Sequence, residues 1–144
     1  MTITETAGIG GKRVLRLGRE WTGTSVVTAA LLRRADVLVS LDPLGLRKPL
    51  SDVRSDFDLP QDMLLVLDAF GTLHLVGMGG FWLARPRQTL RRWPAGTASV
   101  VVGDGRGWFR RLTITDERGT VTVAAPFMEP RQKAALALIE RLTA

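Results

Sequence analysis

From residue 62 onward, apolar and polar positions fall into short blocks separated by turn residues. Residues 63–68 form a strand-length apolar run, Ala69-Phe70-Gly71 follows as a turn, and 72–76 make a second strand, so the pair reads as a hairpin. The glycines at 77–80 weaken the next stretch, and 81–84 lead into Arg85-Pro86-Arg87. Residues 88–93 are a third strand, ended by Pro94-Ala95-Gly96, and 97–102 a strongly β-branched fourth. A glycine-rich turn at 103–107 separates it from a fifth strand at 108–115. The polar turn 116–119 precedes a sixth at 120–124. Short strands joined by tight turns predict an antiparallel meander. The period then changes. Glu129-Pro130 opens a helix, with proline in the first turn, and Ala135, Leu138, Ile139 and Leu142 recur at i, i+3, i+4 and i+7. That stripe has to cover one face or an open end of the meander.

The first 61 residues are less legible. Residues 1–10 are small and polar and read as a flexible tail, which leaves 11–144 as a single domain. Val14, Leu15 and Leu17 alternate loosely with Arg and Gly. Thr24 or Ser25 fits as the cap of a short helix through Arg34, but the run is apolar almost throughout and a strand competes. A further short apolar segment spans 36–41. Residues 42–61 contain Pro43, Pro49 and Pro60 with little periodicity and read as an irregular connection.

Composition narrows the chemistry. The chain has 144 residues and no cysteine, which removes disulfides, thiolate metal sites and cysteine nucleophiles together. Met1 to Thr6 shows no basic region followed by an apolar run, so no secretory signal is expected, and a cytoplasmic location is. No apolar run approaches the ~20 residues that span a bilayer. His74 is the only histidine and sits between Leu73 and Leu75, with no Ser or Asp motif beside it. No transition metal or redox cofactor is therefore expected. The 103–107 glycines lack the Lys-Ser/Thr pair and following helix of a phosphate loop, so they read as a hairpin turn. Asp52, Asp56 and Asp58 form the one acidic cluster, too sparse for a calcium loop. No serine lies in a nucleophile-elbow sequence. The expectation is a non-catalytic protein.

The strongest signal is basic. The formal net charge is +6, and 17 of the 20 basic residues are arginine. Arg85, Arg87, Arg91, Arg92, Arg106, Arg110 and Arg111 crowd into 85–111, where Asp104 is the sole acid, and Trp82, Trp93 and Trp108 lie in or beside the same stretch. Guanidinium forks grip phosphate or carboxylate, and indoles stack on bases or anchor interfaces. Strand alternation divides the cluster, since Trp108 and Arg110 share one face and Phe109 and Arg111 the other. The candidate anion- or partner-binding residues are Arg91, Arg92, Arg110, Arg111, Trp93 and Trp108, on the expectation that a bent sheet brings one arginine of each pair to a common rim.

Residues 62–144 resemble the pleckstrin-homology-like barrel of small actinobacterial proteins. The similarity rests on Met63-Leu64-Leu65-Val66-Leu67-Asp68 leading into Gly71-Thr72-Leu73-His74-Leu75, and on Leu90-Arg91-Arg92-Trp93-Pro94. The strands at 110–115 and 119–123 and the terminal helix complete it. The resemblance implies a mostly β fold with a C-terminal amphipathic helix. It also implies a binding or scaffolding module for a protein or an anionic membrane surface, without catalytic residues or cofactor. Nucleic acid, bound by the Arg/Trp-rich segment 82–111, is the alternative partner.

Overall fold

The computed structural model of the chain describes residues 12–35, 38, 59–79 and 85–144, apart from the side chains of Lys12 and Arg106. The tail at 1–10, most of 36–41 and of the 42–61 connection, and 81–84 lie outside the described residues.

Among the described residues, seven antiparallel strands form one open sheet, with two helices packed on it. The elements in chain order are α1 (Lys12–Thr22), β1 (Val26–Arg34), β2 (Asp62–Asp68), β3 (Leu73–Gly79), β4 (Arg85–Trp93), β5 (Ser99–Arg106), β6 (Phe109–Asp116), β7 (Gly119–Pro126) and α2 (Pro130–Thr143). The strand order is β4-β3-β2-β1-β7-β6-β5. The six strands of the meander are present. The turn read at 103–107 is shorter than expected, because β5 runs on to Arg106 and absorbs the extra residues as an irregularity between Val102 and Gly105. The sheet does not close into a barrel. None of the described helices is long and apolar enough to cross a membrane.

In the N-terminal region, the structure decides between helix and strand for 24–34. Val26 to Arg34 is a strand, and it lies at the centre of the sheet between β2 and β7. Its near-continuous apolarity follows from burial on both faces. Ala30 and Leu32 enter the main core, while Val26 and Ala29 enter a second core beneath α1. β2 divides the same way: Met63, Leu65 and Leu67 face the main core, Leu64 and Val66 the second. The helix lies earlier, at 12–22. Val14 and Leu15 anchor it, and Gly18 lets it approach the sheet, since a Cβ there would sit 3.3 Å from the Val66 methyls. Gly23 ends it in the left-handed region (φ 71°), its N–H donating to the Arg19 carbonyl at 2.9 Å.

α2 completes what the sheet leaves open. β1 and β7 pair at Arg33↔Ala124 and Arg34↔Val123. Upstream of these, Leu31 finds its partner in the helix: its N–H donates to Gln132 Oε1 (3.2 Å) and its carbonyl accepts from Gln132 Nε2 (2.7 Å). The Gln132 amide thus stands in for a strand neighbour. At the far edge of the sheet, Val102 N–H donates to Glu140 Oε2 (2.7 Å) and Val100 N–H to Thr143 Oγ1 (3.1 Å). Burial on α2 falls on Gln132, Ala135, Leu136 and Ile139. The stripe expected from apolar spacing is therefore rotated: Leu138 is half-buried and Leu142 is 52% exposed. Backbone groups left unpaired by the sheet, as well as apolar area, set the angle at which the helix docks.

Candidate functional site

α1 packs on the face of the sheet opposite the main core, and its far flank approaches β4. Trp21 joins the two elements, its indole Nε1 donating to Thr89 Oγ1 at 2.8 Å. The bond fixes a large ring that is still 36% exposed. On one side of this ring lies a groove of about 460 Å³ between α1 and the start of β4. Arg13, Arg16 and Arg85 line it, with Glu20, over an apolar floor of Leu17 and Pro86. Arg16 and Glu20 are both mostly exposed and 3.9 Å apart, a pairing that water screens strongly. Among the described residues that line the groove, three carry a guanidinium and one a carboxylate.

Trp21 also lines a second recess of about 380 Å³, with Arg92, His74, Asp68 and Phe70 and the threonines 22, 24, 72 and 89. Its wall is set by the β2–β3 hairpin. Asp68 Oδ1 accepts the N–H groups of Phe70 (2.9 Å) and Thr72 (3.0 Å), and Oδ2 lies 2.9 Å from His74 Nε2. Asp68 and His74 are 3% and 7% exposed, so the carboxylate both closes the turn and orients the imidazole. Pairing of Leu67 with Leu73 and of Val66 with His74 carries Asp68 beside the ring. That register is the signal by which the partnership can be read from the sequence, and no local motif reveals it. Among the described residues, no hydroxyl is hydrogen-bonded to His74.

The structure divides the residues singled out from the sequence. Trp93 is 1% exposed in the main core and offers no surface to a partner. Arg91 and Arg92 are exposed near the C-terminal end of β4, opposite Leu75 and His74, and Arg92 reaches the second recess. Arg110 and Arg111 lie at the start of β6. In the hydrogen-bonded order, four strands (β3, β2, β1 and β7) lie between β4 and β6. The two edge strands β4 and β5 are nevertheless joined directly, by the connection at 94–98. Arg110 sits 5.3 Å over the Phe127 ring, which Lys133 also approaches at 5.5 Å, while Trp108 is 69% exposed at the β5–β6 turn. Trp82 and the Arg106 side chain lie outside the described residues. Arg13, Arg16 and Trp21 were missed: they become neighbours of β4 only once α1 is recognised as a helix. No family model, curated protein or solved structure matches the chain.

Proposed function

We propose that this chain is a non-catalytic binding module of pleckstrin-homology-like architecture that engages an anionic partner, an acidic protein face or another anionic surface, through the face between α1 and β4. The observation that carries this reading is the convergence of Arg13, Arg16 and Arg85, from two elements far apart in sequence, on one groove beside a pinned indole. Guanidinium forks in a concave site hold phosphate or carboxylate more strongly than the same charges spread over a convex surface. An antiparallel sheet followed by a C-terminal helix is the part of the barrel architecture implied by the family resemblance that supports this reading; the sheet itself stays open. The cysteine-free composition fits a reducing cytoplasm.

Titration with inorganic polyphosphate tests the reading. The wild-type protein binds with an affinity that falls as salt rises. Arg16→Gln combined with Arg85→Gln lowers affinity on the order of 10-fold or more, since a charge-assisted bond contributes ~1.5–3 kcal/mol when aligned. Arg131→Gln with Lys133→Gln removes the same charge from α2 and shifts affinity by no more than about 2-fold, the size of a screened surface effect. Equal losses from the two double variants, or no binding by the wild type, would sink the proposal.

A further inference from the structure

We infer that the anionic partner is a single-stranded nucleic acid, with Trp21 as the stacking platform beside two nucleotide-sized recesses; this rests on the anion-binding reading above. Capture of phosphate or carboxylate alone needs guanidinium groups and no aromatic surface. Here Trp21 lines both recesses. Each recess holds guanidinium groups beside one carboxylate: Arg13, Arg16 and Arg85 with Glu20 in one, and Arg92 with Asp68, which is hydrogen-bonded to His74 and to the Phe70 and Thr72 amides, in the other. At about 460 and 380 Å³, both exceed the room a phosphate requires and fall in the ~300–1,000 Å³ range of sites that hold compact organic ligands. A second aromatic ring, Phe70, stands 74% exposed at the outer recess. Exposed rings beside arginines suit a strand whose phosphates meet cations while its bases stack. A duplex hides its base faces, so it engages the arginines and leaves the rings unused. The Trp21–Thr89 bond fixes the indole before any ligand arrives, which lowers the ordering cost of stacking.

The test compares three probes by fluorescence anisotropy or competition: an oligothymidylate about eight nucleotides long, inorganic polyphosphate and polyglutamate. Trp21→Ala is expected to weaken oligothymidylate binding on the order of 10-fold while polyphosphate binding changes by no more than about 2-fold. Trp21→Phe keeps a flat ring without the indole N–H and is expected to stay within about 3-fold of wild type for the oligonucleotide. Phe70→Ala alters an exposed side chain, so the fold tolerates it, and is expected to cost about 5-fold for the oligonucleotide alone. Should Trp21→Ala melt the protein, Phe70→Ala decides: an unchanged oligonucleotide affinity overturns the inference. Equal loss for both polyanions in the ring variants overturns it too. Polyphosphate binding without oligothymidylate binding overturns the nucleic acid and leaves the anion site standing. Tighter binding of polyglutamate than of oligothymidylate assigns the face to an acidic protein instead. Failure of all three probes removes the anion site itself.

Discussion

Ile139→Asp should abolish cooperative folding. Ile139 is fully buried in the main core beside Ala135 and Leu136, at the middle of the face that α2 turns to the sheet. A carboxylate there has no partner, and an unpaired buried charge costs several kcal/mol, against a total stability of roughly 5–15 kcal/mol for a domain. Circular dichroism is expected to show the loss of a sigmoidal melt, together with poor solubility. Leu142→Asp on the same helix is the control. Leu142 is 52% exposed, and its variant should melt within a few degrees of wild type, consistent with a surface change of about 0.5 kcal/mol. A soluble Ile139→Asp protein with wild-type melting would show that α2 does not dock.

Gln132→Leu should lose about 2–4 kcal/mol even though it places an apolar residue at a buried position. The substitution removes both bonds to Leu31 and leaves a backbone donor and acceptor facing a side chain that cannot answer either. Each such group costs ~1–3 kcal/mol when water is kept out, and Leu31 is only half-buried, which holds the sum below the upper bound. Urea unfolding measures it, as a lower midpoint with an unchanged slope. A loss under about 1 kcal/mol would mean that water substitutes for the Gln132 amide and that α2 is held by apolar contacts alone.

These two positions mark where the sequence was legible and where it was not. The meander could be read because glycine, proline and aspartate punctuate it, and the terminal helix because proline opens it and a 3.6-residue period follows. The face of that helix could not be read. Gln132 is polar, yet it is the most deeply placed residue of the first turn, and only the unpaired edge of β1 explains why. β1 was ambiguous for a related reason: burial on both faces erases the alternation that identifies a strand. Missing α1 then hid half of the candidate site. Arginine density on β4 was visible in the sequence, as Arg85 and Arg92 attest, but their partners Arg13, Arg16 and Trp21 lie more than 60 positions earlier in the chain. The same density extends to β6, whose Arg110 sits 5.3 Å over the Phe127 ring. Trp93 looked like an interface anchor because tryptophan serves as core filler and as contact surface alike, and its neighbours Arg91, Arg92 and Pro94 gave it polar company.

Backbone amide chemical shifts, followed as inorganic polyphosphate is added to the isotopically labelled full chain, test the location of the anion site most directly. The shifts are expected to move at Arg13, Arg16 and Trp21 of α1 and at Arg85, Thr89 and Arg92 of β4, and to saturate together along one binding curve. Arg110 and Arg111 of β6 and the start of α2 should stay in place. Shifts confined to β6 and the start of α2, or small shifts spread over every exposed arginine without saturation, would contradict the assignment of the α1–β4 face.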